Sequence, residues 1–363
     1  MQRAVSIYSL PYISLLVPFA LALVLTVVLC RYASPLGQWL GVMDLPSGDG
    51  GHKKHARPTP AVGGLILGFV SGLVVVVTLP WSDPSNGLGQ SIRLISLVAV
   101  IATMAIGFLD DRKHIPALTR LLLGSLISAL LLLAVPELQV QQVAFSSIGL
   151  VVRTEALAIP FTVLCLQGLK NAVNMADGRN GVLLGMTLIW NIFFLFHAFP
   201  PMIPTMVGVL GCLTVLLICN LRGKLFMGDC GAYGIAKYYG ILALGLHQNA
   251  FGNVRSAEVV LLFLVPVIDT IRLIVIRLLN GHSPMAPDGR HLHHLLDNAI
   301  GWAGGWFVYM ALIVCPLVVY QLLPGNGVQI IALAIGAYSL VVWVCSKMPR
   351  RSSHQDEVDA PSG

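Results

Sequence analysis

The chain has 363 residues, of which 56% are hydrophobic and 10% are charged, and its mean hydropathy is +0.82. These values lie far outside the range of soluble globular domains and exclude that class. The net charge of +6 is typical of a surface that contacts anionic lipid headgroups or phosphate-bearing molecules.

Eleven apolar stretches can each cross a bilayer, which requires about 20 mainly apolar residues in a helix. Two long uncharged runs are divided by the turn signals Pro200-Pro201 and Pro324-Gly325. The predicted spans are residues 8–30, 60–80, 94–110, 117–135, 157–175, 181–199, 203–221, 231–247, 257–279, 304–322 and 328–346. The sequence therefore predicts an all-α, polytopic integral membrane protein with about 11 transmembrane helices.

The positions of Lys and Arg predict the orientation of these spans. If the N-terminus is outside, only Arg3, Arg93, Arg153 and Arg255 of the 22 Lys and Arg lie on the outer side. Basic residues gather in cytoplasmic loops of membrane proteins. We therefore predict an outer N-terminus and a cytoplasmic C-terminus. Residues 1–346 then form one transmembrane domain, and residues 347–363 form a short polar cytoplasmic tail.

The first cytoplasmic loop is basic and contains Lys53 and His55. A basic loop beside a membrane usually contacts the lipid surface, so this loop alone indicates little about function.

Two adjacent carboxylates, Asp110 and Asp111, follow the apolar part of the third span. Neighbouring carboxylates at a membrane boundary repel each other and are costly to desolvate unless a cation compensates them. One solvated Asp at a helix end would be ordinary, but two are not. The pair suits a divalent metal ion, or one of them can act as a base on a phosphate or hydroxyl.

A polar row ends the fifth span. Asn171, Asn174 and Asp177 are spaced by three residues and share one helix face. Their oxygens are ligands that Mg²⁺ accepts, and Gly178 lets the backbone approach a ligand closely. The alternative is an Asn-rich helix end followed by a turn, which explains Asn180-Gly181 well but not the polar row.

The loop before the eighth span contains Phe226 and Asp229. Phe226 can stack on a base. Asp229 can cap the following helix or hold a metal ion, and the two roles are compatible. Inside that span, Lys237 is expected to snorkel to the membrane surface, with contact to a lipid phosphate as the alternative.

Asp269 and Arg272 lie one turn apart in the ninth span, and we interpret them as a structural ion pair. The segment that follows is the densest polar cluster of the chain and contains Arg290, His291, His293 and His294. It lacks the partners of a typical zinc site. These side chains are better suited to donate hydrogen bonds to phosphate oxygens.

The order of these motifs resembles the polyprenyl-phosphate N-acetylhexosamine-1-phosphate transferases of glycosyltransferase family 4. The matching elements are Asp-Asp after span three, Asn-x-x-Asn-x-x-Asp-Gly after span five, Phe-x-Gly-Asp before span eight, and Ser-Pro leading to His-x-His-His. The resemblance covers residues 40–300. It implies that polyprenyl phosphate attacks the β-phosphate of a UDP-sugar and that UMP leaves.

The resemblance also implies roles for individual residues. Asn174 and Asp229 would hold Mg²⁺, with Mn²⁺ as the alternative. Asp110 and Asp111 would lie at the lipid phosphate or the metal, and one of them has been cast as the base in such enzymes. The catalytic set would be Asp110, Asp111, Asp177, His291, His293 and His294, and the substrate-binding set Lys53, His55, Arg120, Asn171, Gly178, Asn180, Phe226 and Arg290. Within these sets Arg120 would contact phosphate and Phe226 would stack on uracil.

The implied protein transfers a HexNAc-1-phosphate, with GlcNAc favoured by the His-x-His-His form, to undecaprenyl phosphate in the bacterial inner membrane. Its active site faces the cytoplasm, and the reaction begins the synthesis of O-antigen, common antigen or another envelope polysaccharide. The expected partners are the two substrates, the bilayer and a second copy of the chain, but no nucleic acid. Two alternatives stay open: a transporter or lipid flippase, and a non-catalytic lipid-binding homologue, which the uncharged Asn180 would suit.

Overall fold

A computed structural model describes residues 12–46, 57–78, 87–248, 254–283 and 288–349. Helices make up most of these residues. They are α1 (Tyr12–Arg31), α2 (Ala33–Leu40), α3 (Gly63–Thr78), α4 (Gly87–Lys113), α5 (Ala117–Ala134), α6 (Ala158–Ala176), α7 (Val182–His197), α8 (Ile203–Leu221), α9 (Gly228–Gln248), α10 (Ser256–Leu279), α11 (Leu292–Ile300), α12 (Trp302–Leu322) and α13 (Gly327–Lys347).

Each of the eleven predicted spans coincides with one helix of 16 to 27 residues, and α2 and α11 are short additional helices. Within the described ranges, eight helices are long and apolar enough to cross a membrane, and α3 and α7 are shorter apolar helices. Large apolar side chains such as Leu16, Leu130 and Leu333 are exposed on the outside of the bundle, where lipid would cover them. The chain is an all-α, polytopic membrane protein, as predicted.

Two short antiparallel strand pairs complement the helices. Strand β1 (Met43–Asp44) pairs with β2 (Thr59–Pro60), and β3 (Gln142–Phe145) pairs with β4 (Leu150–Arg153). The first pair continues to the segment before α9, because the Phe226 amide donates to the Pro60 carbonyl at 2.9 Å. The sequence patterns did not predict these strands, since two to four residues are too few to show an alternating pattern.

Helix α9 lies at the centre of the bundle and packs against α3, α4, α6 and α7. Glycines let its first turn approach its neighbours closely. A Cβ atom on Gly64 would lie 2.2 Å from the Gly231 nitrogen, and one on Gly107 would lie 2.5 Å from the Asp229 carbonyl oxygen. Such small residues allow helix backbones to meet inside a membrane. The start of α9 is therefore held against the end of α4.

Candidate active site

Asp110 is buried at the end of α4, with 3% of its surface exposed. One carboxylate oxygen accepts the Ile115 amide at 2.8 Å. The other accepts hydrogen bonds from the Arg120 guanidinium and, at 3.1 Å, from the Tyr233 hydroxyl. Charge-assisted bonds of this kind are the strong ones. Asp110 therefore fixes the direction of Arg120, which starts from the first turn of α5.

Asp111 caps helix α9 from a different helix. Its two carboxylate oxygens accept the backbone amides of Asp229 and Cys230, at 2.8 and 3.1 Å. The amides of the first turn have no hydrogen-bond acceptors inside their own helix. A carboxylate at this position also interacts favourably with the helix dipole. Gly228 has φ +67°, and a Cβ atom on it would lie 2.6 Å from an Asp111 oxygen. Asp111 thus positions the start of α9.

Asp229 is the second residue of α9 and faces Asp110 and Arg120. The capping role considered for it from the sequence is filled by Asp111. Its carboxyl group contacts that of Asp110, and one oxygen lies 3.6 Å from the Arg120 guanidinium. Two carboxyl groups in such contact need a shared proton or a cation between them. The site therefore combines two carboxyl groups and one arginine from three helices.

A cavity of about 260 Å³ adjoins this cluster. Its two long cationic side chains, Arg120 and Arg277, come from α5 and α10, and its amide groups come from α6. The lining residues are Ala117, Arg120, Leu121, Asn171, Asn174, Met175, Tyr233, Arg277, Asp288 and His291. The lining thus combines residues of two sequence motifs, the Asn row of α6 and the histidine segment, with Arg120, although its members are separated by up to 174 positions.

Asp177 follows the last residue of α6 and does not line this cavity. Burial raises its pKa to about 7, and the charge of Asp111 adds to the effect. The two carboxylates are therefore close enough to repel each other. A raised pKa means that the ionised form lacks compensation among the described groups.

The histidine segment is held by Asp269 of α10. The Asp269 carboxylate lies 2.8 Å from His291 Nδ1, accepts the Leu292 amide at 3.2 Å, and accepts the Tyr338 hydroxyl at 2.6 Å. The predicted ion pair is confirmed, with Arg272 at 2.8 Å. Asp269 also fixes the orientation of the His291 ring, since the other nitrogen of an imidazole then points in one direction.

His293 is buried with 1% of its surface exposed. Neither of its ring nitrogens has a hydrogen-bond partner among the residues that the structure describes. Burial, followed by the neighbouring His294 and His291, places the pKa of His293 well below its usual range. Its ring lies parallel to that of His291, with 5.6 Å between centroids. A Cβ atom on Gly178 would lie 2.1 Å from Nε2, so the glycine is required here.

Arg290 is exposed and bound to Asp288 by two hydrogen bonds, from Nε at 2.8 Å and from the terminal nitrogen at 2.7 Å. This contact lowers the pKa of Asp288 to about 2. Asp288 also lies 3.3 Å from Nε of Arg277. Asp288 and Arg277 both line the cavity, whereas Arg290 does not. Arg277 could not be recognised from the sequence, because a basic residue at a span end is ordinary.

Phe226 and Asn180 do not line the cavity. The backbone of Phe226 ties the segment before α9 to the start of α3, since its carbonyl accepts the Gly63 amide at 2.9 Å. The carbonyl of Asn180 accepts the Trp302 indole at 2.9 Å. Their predicted contacts with the base stay predictions, as does the role of His294. Lys53 and His55 lie outside the described residues.

One expectation for the eighth span was wrong. Lys237 does not snorkel: it is 1% exposed, and its ammonium donates to the Ser128 hydroxyl at 2.5 Å inside the bundle. A lysine points to the membrane surface only when its stem can reach it. Here α5 and α6 pack around that face of α9.

Oxygen ligands for a divalent cation are present. No three His, Cys, Asp or Glu side chains within the described ranges converge as a complete metal site. Mg²⁺ does not require one, because it usually takes one or two carboxylates and completes its shell with water and substrate phosphates. The Asp110–Asp229 pair and the amide of Asn174 fit such a cation. Mn²⁺ accepts the same ligands.

By its fold and composition the chain is a multi-pass membrane protein. The sequence model of glycosyl transferase family 4 matches residues 93–247. That range contains Asp110, Asp111, Asn174 and Asp229 and ends before the histidine segment.

Curated relatives extend the match. A decaprenyl-phosphate N-acetylglucosaminephosphotransferase of Mycolicibacterium smegmatis is 31% identical over 270 residues, which cover 67% of this chain and 66% of that protein. The protein of the same name from Mycobacterium tuberculosis is 30% identical with the same coverage. An undecaprenyl-phosphate alpha-N-acetylglucosaminyl 1-phosphate transferase of Escherichia coli is 25% identical over 302 residues, covering 76% of this chain and 74% of that protein.

The chain belongs to glycosyl transferase family 4, as the resemblance of its motifs indicated. The match spans just under two thirds of the length of the mycobacterial relatives.

Proposed function

We propose that this protein transfers a HexNAc-1-phosphate, GlcNAc-1-phosphate first of all, from a UDP-sugar to polyprenyl phosphate and releases UMP. The observation that carries the proposal is the contact of Asp110, Asp229 and Arg120, contributed by three helices, beside a cavity lined by two arginines. The names of the relatives support the lipid acceptor and the transferred group.

The charges of the site suit a diphosphate. Arg120 of α5 and Arg277 of α10 both line the cavity, and guanidinium groups bind phosphate oxygens through two parallel bonds. Asn171 and Asn174 add neutral amide groups. Phosphoryl transfer needs little covalent chemistry from the protein, and positioned cations carry most of the rate. When bound, Mg²⁺ would supply further positive charge at the Asp110–Asp229 pair.

The reaction forms one bond and breaks one bond at the β-phosphorus. An oxygen of the polyprenyl phosphate attacks that phosphorus, and the bond to the UMP oxygen breaks. Because the second pKa of a phosphomonoester is about 6, the acceptor is largely ionised at neutral pH and needs no base. Asp110, which is held by Arg120 and Tyr233, therefore orients the arginine in this scheme instead of removing a proton.

The location follows from the same features. The acidic and basic side chains of the site lie at the ends of α4, α6 and α10 and at the starts of α5 and α9, so they gather at one end of the bundle. A transporter would instead place its charged groups at the midplane, on broken helices. We place this end on the cytoplasmic side of the bacterial inner membrane, where the basic loops are predicted and nucleotide sugars are made.

The proposal is tested with purified protein in detergent, undecaprenyl phosphate, Mg²⁺ and radiolabelled UDP-GlcNAc. We expect butanol-extractable label with the wild type, none after EDTA, and at least 10³-fold less with Asp229→Asn. Glu137→Gln, which changes an exposed carboxylate, serves as the matched control and should keep full activity. Product from UDP-GalNAc alone would change only the sugar. No product from any UDP-HexNAc would refute the transferase.

A further inference from the structure

Three helices form a polar seam that runs from the site into the apolar bundle. On α5 the seam contains Arg120, Gly124 and Ser128, and on α9 it contains Asp229, Tyr233 and Lys237. Residues four apart share one helix face, so each row forms a stripe about 12 Å long at 1.5 Å per residue. Helix α6 closes the seam with Gln167 and Lys170.

Lys170 joins these stripes just behind the site. It is 1% exposed, and its ammonium donates to the Arg120 carbonyl at 3.2 Å. The same ammonium lies 5.0 Å from the centre of the Tyr233 ring. Tyr233 in turn bonds Asp110 at 3.1 Å and Arg120 at 3.2 Å. A cation in an apolar bundle is costly and usually functional, and this one contacts both the backbone of Arg120 and a partner of its side chain.

Gly124 provides the space that Lys170 occupies. A Cβ atom on Gly124 would lie 2.9 Å from the Lys170 ammonium and 2.5 Å from the Gln167 side-chain oxygen. Ala at this position would therefore require the Gln167 oxygen and the Lys170 ammonium, the ends of two flexible side chains, to move. The glycine and the lysine act as one unit.

Lys237 offers a matched comparison. It is also 1% exposed and belongs to the same seam, but it lies one layer deeper. Its ammonium donates to the Ser128 hydroxyl at 2.5 Å, and Gln167 donates to the same oxygen at 2.8 Å. Neither bond involves Arg120 or Tyr233.

We propose that Lys170 is a positioning residue for the transfer reaction and that it acts through Arg120. Its bond to the Arg120 carbonyl restrains the first turn of α5, and its contact with Tyr233 restrains the hydroxyl that meets the guanidinium. The Arg120 side chain is then held in one rotamer that points at the phosphate groups in the cavity before the substrate binds. This inference rests on the proposed function for its substrate, but its geometry is independent of which sugar is transferred.

The test is a double-mutant cycle between Lys170 and Arg120, with activity and thermal stability measured on the same proteins. Lys170→Met keeps the stem and removes the charge. It should lower kcat/KM about tenfold or more, because a misplacement of about 1 Å can cost a hundredfold. In the Arg120→Ala background the same change should cost less than twofold. The shifts in Tm should add, since Arg120→Ala keeps the carbonyl that Lys170 contacts.

Three further variants separate positioning from simple folding. Lys170→Arg should restore much of the activity, Gly124→Ala should reproduce the Lys170→Met loss, and Lys237→Met should keep kcat/KM within threefold although it lowers Tm. If Lys170→Met fails to fold, Gly124→Ala takes its place in the cycle.

An equal loss from Lys170→Met in both backgrounds would overturn the inference, and so would an equal loss from Lys237→Met. Thermal stabilisation by magnesium pyrophosphate provides a readout that needs no turnover, and it should weaken in the same variants. Absence of wild-type turnover with every UDP-HexNAc would count against the proposed function, whereas an undiminished pyrophosphate effect in Lys170→Met would count against the inference.

Discussion

Two buried carboxylate sites at opposite ends of the bundle have different surroundings. Glu258 begins α10 and is 4% exposed. It accepts the Arg255 amide at 2.7 Å and the Gln321 amide group at 2.8 Å, and His197 lies at 3.6 Å. At the other end, Asp110 is equally buried at 3% but contacts a second carboxyl group, that of Asp229.

The comparison shows that burial alone does not mark function. Glu258 is one carboxylate among three donors, and its contacts join α7, α10 and α12, so its role is structural. Asp110 and Asp229 share one arginine beside a cavity. A surplus of negative charge in a buried place is costly, and a protein retains it where a cation or substrate compensates. The balance between buried negative charges and the cationic or hydrogen-bonding groups around them is therefore a better indicator of a functional site than burial.

Among the tests of this comparison, the largest effect is expected from the matched pair Asp110→Asn and Glu258→Gln. Asp110→Asn removes the charged partner in direct hydrogen-bond contact with Arg120 and leaves Asp229, at 3.6 Å. It should lower kcat/KM by about a hundredfold or more. Glu258→Gln should cost about 1–3 kcal/mol of unfolding free energy and leave kcat/KM within threefold. The radiolabel assay and detergent thermal unfolding measure both. A larger activity loss from Glu258→Gln would break the comparison.

Asp111 sharpens the comparison within the site itself. Asp111→Ala removes the cap of α9 and should cost about 1–2 kcal/mol of stability, together with a roughly tenfold to hundredfold loss of kcat/KM as Asp229 shifts. Asp111→Asn keeps one acceptor oxygen and should lie between the alanine variant and the wild type. If Asp111→Ala were as stable as the wild type and yet inactive, Asp111 would act on the substrate directly and not through the helix.

Asp269 tests whether the histidine segment depends on its support. Asp269→Asn should keep the Leu292 contact but weaken the bond to His291. Loss of a residue that orients a functional histidine typically costs about tenfold in activity. The variant Arg272→Lys, which keeps the charge but not the planar donor pair, should have a smaller effect. An unchanged rate in Asp269→Asn would remove His291 from the catalytic set.

The smallest effect concerns pH and Asp177. A carboxyl group whose pKa is raised in the folded state contributes its full stabilisation of the fold only below its usual pKa of about 3.9. For Asp177 this contribution is lost as the pH rises to about 7. Without divalent cations, Asp177→Asn should therefore gain about 1–2 kcal/mol relative to the wild type between pH 5 and pH 8. Thermal unfolding at both values measures this. If the difference in stability between Asp177→Asn and the wild type is the same at both pH values, the Asp177 charge is compensated in the folded protein.

The helices that match the predicted spans could be located from the sequence, because the hydropathy of a span depends on consecutive residues. The ion pair of Asp269 and Arg272 was predictable for the same reason, since one helical turn fixes their spacing. The position of Lys237 was not. Whether a lysine reaches the surface depends on the helices that pack around it, here α5 and α6. The hydrogen-bond partner of Lys237, Ser128, lies 109 positions away in the sequence.

Composition and motif order thus determined that this chain is a helical membrane protein, and they located the polar segments on which the proposed chemistry rests. Only the tertiary structure decided what each side chain does: Asp111 caps a helix 118 positions away, Asp269 supports the histidines, and Arg277 enters the cavity. The physical reason is that hydropathy and helical spacing are local properties. The hydrogen bonds of the site instead join residues that meet only after the helices have packed.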